Sequence, residues 1–339
     1  MQLSSLITQS PHDWQSQLRD VVTSRRELLD LLELSEKDVG LSKGACHDFA
    51  LKVPRSFVRR MRPQDPYDPL LLQVLSSAQE LIDAPEYSYD PVGEGAGAIP
   101  QRGIIHKYHG RVLLIVSGGC AGNCRYCFRR HFPYGDNQNS RQQWTEALDY
   151  IRSNHSIEEI ILSGGDPLVA TDAQLQQLVK EIASISHVKR LRIHSRLPIV
   201  IPERVTPQLL NAILQPRLQT IMVTHCNHAN EIDDAVTVAL EALRDNNIIT
   251  LNQAVLLKDI NDSVAAQVAL NRALFATGTL PYYLHMLDKV QGAAHFDVAE
   301  THAHQVMEGV AASLPGYMVP KLVREVAGAD AKVIVKSST

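Results

Sequence analysis

Val112-Leu-Leu-Ile-Val116-Ser-Gly-Gly-Cys120-Ala-Gly-Asn-Cys124-Arg-Tyr-Cys127 is the stretch that decides how this chain reads. An unbroken apolar run has the character of a buried strand. A glycine pair ends it, and three cysteines follow on one short loop at spacing C-x3-C-x2-C. Three thiolates so placed can hold three irons of a [4Fe–4S] cube and leave the fourth iron open to another ligand. A cluster that only passes electrons normally has four protein ligands, so the missing fourth cysteine is part of the signal. The loop has other readings: a zinc knuckle, a disulfide or unpaired core thiols. Zinc takes four ligands, often as two separated pairs. His131 could be the fourth, although C-x3-C-x2-C-x3-H is not a usual zinc order. Five cysteines, an odd number, and a start without the character of a secretory signal speak against a disulfide framework. Cys46 and Cys226 stand alone and read as buried thiols.

Outward from this strand, the chain from Gly103 on alternates two kinds of segment. Runs rich in β-formers occupy 111–117, 159–163, 188–194, 218–225, 248–257 and 282–287, with amphipathic segments at 142–153, 172–185, 207–214, 231–245 and 263–276. Thr171-Asp172 and Thr206-Pro207 read as helix starts. Such alternation predicts a parallel α/β architecture. Six strand–helix units are too few for an eight-stranded barrel, so the expected fold is a partial (β/α)6 barrel. Residues 1–95 read as an N-terminal helical region and linker, and 96–339 as the barrel with its C-terminal segment. Apolar residues recur at helical spacing over 13–34 and 69–82, and the Gly-, Pro- and acid-rich stretch 87–100 reads as the linker.

Composition narrows the class. The 339 residues are 45% hydrophobic and 21% charged, ordinary values for a globular enzyme with a large core. A net charge of −4 gives no reason to expect nucleic acid as a partner, and no apolar stretch approaches a membrane span. A cytoplasmic enzyme is the expectation.

In parallel barrels chemistry sits at the C-terminal ends of the strands, and polar residues collect there. The ends are Ser117-Gly-Gly-Cys120, Ser163-Gly164-Gly165-Asp166-Pro167, His194-Ser195-Arg196 and Thr224-His225-Cys226-Asn227-His228, with Asn252-Gln253 in the fifth strand and Asp288 after the sixth. Each alone has an ordinary explanation; Ser-Gly-Gly-Asp-Pro is a common turn composition. Their shared register favours a site. Gly164 and Gly165 would let backbone approach a ligand closely, and Asp166 could accept from an ammonium.

The chain resembles the lysine 2,3-aminomutase family of radical S-adenosylmethionine (SAM) enzymes. The resemblance rests on 106–114, 120–130, 162–166, 194–198, 224–232, 252–257, 281–296 and 316–332. It implies a [4Fe–4S] cluster on Cys120, Cys124 and Cys127, SAM on the open iron, and pyridoxal 5′-phosphate (PLP) carried by Lys332. Lys332 follows Gly328-Ala-Asp330-Ala, where the family has a glycine run; by composition alone it is an exposed terminal lysine. Lys107, Tyr108 and Arg111 match the phosphate-binding stretch. Gly164, Gly165, Asp166, His194, Arg196 and Gln253 fall at cofactor-binding positions. Arg129 matches the receptor of the substrate carboxylate, and Asp288 with Glu325 the receptors of the ε-ammonium. Glu325 replaces a shorter aspartate of the free-lysine members. Such residues are otherwise most often solvated. The implied reaction converts L-α-lysine to β-lysine by 2,3-amino migration, with SAM regenerated and a reducing electron donor required. A branch of the family serves elongation factor P, whose lysyl-transferring enzyme would be a functional partner. The sequence ends soon after Lys332, where free-lysine members continue, and this favours that branch. Lysine catabolism, or an iron–sulfur enzyme without PLP, are the alternatives, and a homo-oligomer is compatible with all three.

Overall fold

The N-terminal extension is built from short pieces in the computed structural model, which describes residues 13–39, 49–134 and 141–336. The single helix expected over 13–34 is instead α1 (Trp14–Arg19), a short strand β1 (Val21–Val22) and α2 (Arg25–Leu31). The cause is local. Asp13 caps α1 by accepting from the Gln15 amide, and Ser24 starts α2 afresh by accepting from the Glu27 amide. Between them two β-branched valines take extended backbone and pair antiparallel with β2 (Val53–Pro54). Val22, Leu28, Leu29 and Leu32 are all buried, so the apolar spacing survives the break in the backbone. The stretch 69–82 likewise divides into one helical turn, Pro69–Leu72, and a 3-10 turn, Ala78–Leu81, each with its own cap at Asp68 and Ser77.

From Ile104 the chain forms one nine-stranded sheet. β3 (Ile104–Tyr108) runs antiparallel to β4 (Arg111–Ser117). β4, β5 (Glu159–Gly164), β6 (Arg190–Ser195), β7 (Gln219–His225), β8 (Ile249–Val255), β9 (Leu280–His285) and β10 (Lys321–Arg324) follow as parallel neighbours. β11 (Val333–Ile334) turns back antiparallel on β10. The connecting helices are α3 (Arg141–Ser153), α4 (Asp172–Ala183), α5 (Pro207–Ile213), α6 (Asp234–Asp245), α7 (Val264–Ala276) and α8 (Glu300–Ser313). Thr171 and Thr206 cap α4 and α5 as their sequence predicts. The six expected strands are present. The α8–β10 unit adds a seventh parallel strand, and Lys107 and Tyr108 lie in a strand of their own.

The sheet does not close, because β3 and β11 are its two ends. It curls far enough that Lys107 at the end of β3 reaches Glu325 just after β10, Nζ to Oε1 at 2.8 Å. The result is a partial barrel with an open seam. The extension shares the barrel's core: Trp14, Phe57 and Leu70 belong to the same apolar cluster as Ile199, Leu209 and Val236. No helix among the described residues is long and apolar enough to cross a membrane.

Candidate active site

One cavity of about 510 Å³ occupies the inside of the partial barrel. Every residue nominated from the sequence lines it: Cys120, Cys124 and Cys127; Gly164, Gly165 and Asp166; His194, Arg196 and Gln253; Lys107, Tyr108 and Arg111; and Arg129, Asp288, Glu325 and Lys332. The strand pleat explains why residues so far apart in sequence converge, since alternate residues of each strand face inward.

The cysteine loop lies on a bed supplied by the extension. The Asn123 amide donates to the Lys52 carbonyl, and the Arg125 amide to the Gln73 carbonyl, both at 2.9 Å. Lys52 Nζ donates to the Cys120 carbonyl at 2.6 Å. Below the loop, Glu80 receives two arginines, Arg125 Nε at 2.8 Å and Arg130 Nη2 at 2.9 Å, in a fully buried cluster. Burial, then the neighbouring Cys127 and Asp166, push the Cys120 thiol well up, and burial with Cys124 puts Cys127 at about 11. Three thiolates side by side in such a place need a cationic core between them, which an iron–sulfur cube supplies. A single zinc would need a fourth ligand beside the three thiols. His131 Nε2 instead lies 3.2 Å from the Gln291 carbonyl oxygen. Cys226 is a buried free thiol, as expected, and Cys46 lies outside the described residues.

Two nominated groups have a different job from the one read in the sequence. Gly164, at φ +114°, and Gly165 do face the cavity, but their close approach is to the cysteine loop. A Cβ on Gly164 would stand 2.5 Å from the Ser117 carbonyl oxygen, and one on Gly165 would overlap the Gly119 carbonyl. The Gly165 and Asp166 amides donate to those same two carbonyls at 2.7 and 2.9 Å, locking the ends of β4 and β5 together. Asp166 accepts four bonds: from Leu168 N and Ser195 Oγ on one oxygen, and from Arg196 N and Leu197 N on the other. A carboxylate has about four acceptor sites, so Asp166 is spent on shaping the β6 exit and has none left for a ligand ammonium.

Arg196 binds the cluster loop to the extension. Its guanidinium donates to Cys124 Sγ, to Tyr126 Oη at 2.8 Å, to Gln73 Oε1 at 2.8 Å and to Glu231 Oε2 at 3.1 Å.

Across the cavity, Glu325 gathers cations. Its Oε1 accepts from Lys107 Nζ at 2.8 Å and from the Tyr108 hydroxyl, and its Oε2 accepts from Lys332 Nζ at 2.8 Å. Burial pushes Glu325 up, but the Lys332 charge and the bonds from Lys107, Lys332 and Tyr108 outweigh it and hold it at about 2. Asp288 has no such set of donors, and burial raises it to about 7 despite the pull of Lys332. The Arg111 guanidinium lies over the Tyr108 ring, 4.6 Å from its centroid. Lys332 is thus a half-buried ion-paired residue of the cavity wall, not a solvated terminal lysine.

Arg129 is held by a residue that the sequence reading left in the linker. Its Nε and Nη2 donate to the two oxygens of Glu94 at 2.6 and 2.8 Å. Other residues of the cavity, to which sequence reasoning gave no individual role, are Arg192, His225, Tyr283 and His285. Alternation was the available signal: Arg192 shares the inner face of β6 with His194, as Tyr283 does that of β9 with His285. Burial, followed by the positive charges around them, holds His194 and His285 well below the usual histidine range and His225 at about 3. These are neutral imidazoles, and the buried Nε2 atoms of His194 and His285 have no partner among the described residues. Unpartnered buried nitrogens beside several ammonium and guanidinium groups fit a polar, phosphate-bearing ligand such as PLP.

A profile of the radical SAM superfamily matches residues 114–270. Along nearly its whole length the chain is similar to proteins named L-lysine 2,3-aminomutase. Identity is 50% to that of Escherichia coli (strain K12), over 97% of this chain and 96% of that protein. It is 46% to that of Haemophilus influenzae, over 97% of each. It is 32% to that of Clostridium subterminale, over 96% of this chain and 78% of that protein. The chain belongs to the L-lysine 2,3-aminomutase family of radical SAM enzymes, isomerases that work with a [4Fe–4S] cluster and SAM.

Proposed function

We propose that this enzyme converts L-α-lysine to β-lysine by moving the amino group from C2 to C3, with PLP as third cofactor, and that the product serves elongation factor P. One observation carries the reading, namely the charge layout of a single cavity. It offers a guanidinium for a carboxylate, two carboxylates for an ammonium, and a lysine amine for an aldehyde, all beside three thiols. Lysine is a substrate with a carboxylate at one end and an ammonium at the other.

Each residue then has a task. Arg129 receives the α-carboxylate. Asp288 and Glu325 receive the ε-ammonium, which takes the place that Lys332 holds on Glu325 Oε2. Lys332 supplies the amine that carries PLP, and Lys107, Tyr108 and Arg111 surround its phosphate. The neutral His194, His225 and His285 offer hydrogen bonds without adding charge. When bound, the cluster and SAM would supply radical chemistry at C3, and PLP a π-system to stabilise it. The walls of the partial barrel would shield that chemistry from water.

The elongation factor reading is supported by Glu325, where the resemblance puts aspartate in free-lysine members. Anaerobic assay of the reconstituted enzyme with free lysine and with lysine-modified elongation factor P, following β-lysine by mass, tests it. Product from neither substrate would reject the reaction. Lys332→Ala should abolish the absorbance of lysine-bound PLP while iron and sulfide stay; PLP found on Lys321 or Lys336 would overturn the assignment.

A further inference from the structure

The stretch 87–100 lies across the open seam of the barrel. Ser88 bridges to Val290 beyond β9, Val92 O accepts from Lys107 Nζ at 2.7 Å, and Gly93 backs onto Ala327 between β10 and β11. Gly93 is at φ +67°, and a Cβ there would stand 3.1 Å from Ala327 Cβ. Asp90 fixes the next turn by accepting from the Glu94 and Gly95 amides at 2.8 and 2.9 Å. The strap therefore delivers Glu94 into the cavity from a backbone that is held on both sides.

An arginine has five N–H donors. In Arg129, Nε and Nη2 are taken by Glu94, while Nη1 makes two longer contacts, to Ser163 Oγ at 3.3 Å and the Gly164 carbonyl at 3.2 Å. One Nη2 donor has no acceptor among the described residues. The side chains of Arg129 and Glu94 are only 9% and 8% exposed, so the pair is largely shielded from water. The side edge of the guanidinium, which could clamp a ligand with two parallel bonds, is already filled. Without Glu94 the two longer contacts alone would hold the group.

We propose that Glu94 is the positioning residue of the carboxylate subsite. By filling one edge of Arg129 it leaves the remaining Nη2 donor, on the outer edge, as the place where a substrate carboxylate docks, and so sets where the substrate's α-carbon stands. This rests on the reading of Arg129 as the carboxylate receptor. The strap couples two subsites, because the same few residues hold Lys107 through Val92 and Arg129 through Glu94.

The test uses the reconstituted holoenzyme and two ligands, L-lysine and pentane-1,5-diamine, which is lysine without its carboxylate. Anaerobic titration gives both dissociation constants, and steady-state kinetics give KM and kcat for lysine. Glu94→Ala should weaken lysine roughly tenfold or more, the scale of one charge-assisted bond, and raise KM more than it lowers kcat. It should leave the diamine unchanged. Glu94→Gln keeps the shape and one oxygen acceptor, and should fall between wild type and Glu94→Ala. Equal losses on both ligands would mean general structural damage and overturn the proposal. So would no loss, or tighter lysine binding, which would make Glu94 a competitor for Arg129. Arg129→Gln is the separate control. If it leaves the preference for lysine over the diamine intact, the carboxylate reading of Arg129 fails whatever Glu94 does.

Discussion

At Asp288 burial and charge pull in opposite directions, and burial wins, raising its carboxyl to about 7. Half of such groups are neutral near that pH, and the neutral form cannot take up an ammonium as an ion pair. A bound ammonium favours the charged form, so a proton should leave as lysine binds. The ionised fraction grows with rising pH. Lysine affinity should therefore climb between about pH 6 and pH 8 and level off above, as titration of a single group requires. Glu325, at about 2, is ionised throughout and cannot produce that slope. Titrating lysine binding across this range should show the rise in the wild type and a flat profile in Asp288→Asn; a flat wild type would reject the role. The residues legible in the sequence were those whose chemistry fixes both type and spacing, such as the three cysteines. Asp288 and Lys332 needed the family resemblance. Glu94 was not legible because Gly-Glu-Gly in an acidic linker looks the same whether its carboxylate meets solvent or a buried arginine.

Among elements, the parallel strands were readable because each is a short apolar run bounded by turns, as in β5, which is buried along its length. The cysteine loop was readable as a motif but its support was not. Its bed comes from 49–80, far upstream, through backbone bonds and through Glu80, and no local pattern announces a long-range contact. The side chains of Glu80, Arg125 and Arg130 are 2%, 0% and 3% exposed. Removing one partner of such a buried pair costs about 3–5 kcal/mol, because it strands a charge. Glu80→Gln leaves both arginines without their counter-charge, directly beneath the ligand loop. It should lower the iron content per chain and the Tm together, while a surface change such as Glu181→Gln should do neither. Full iron loading and an unchanged Tm in Glu80→Gln would mean that the extension does not support the cluster loop.

On the scale of the whole molecule, six strand–helix units implied an incomplete barrel, but nothing in the sequence said what faces the gap. The parts that meet there are 92–94, 107–108 and 325–332, and their contacts are mainly ionic, leaving no apolar periodicity to read. Backbone hydrogen bonds do not join β3 to β11; Glu325 does so with its side chain, taking Lys107 and Tyr108 from one edge and Lys332 from the other. The sign of its pH dependence follows from the depressed carboxyl. The seam is fully held above 4.5, the unperturbed value, and released as pH falls from there through about 2. At neutral pH the same release should follow from Glu325→Gln, which keeps the shape and removes the charge that two lysines share. The loss of a buried counter-ion, about 3 kcal/mol at the lower end, corresponds to roughly a hundredfold more frequent opening. Amide exchange should therefore quicken by that order at β3 and β11, the strands that flank the seam, and stay slow in β5 to β8, whose neighbours are unchanged. Equal quickening across the sheet would instead mark Glu325 as an ordinary stabilising residue, and no change at either edge would mean that the strap 87–100 holds the seam without it.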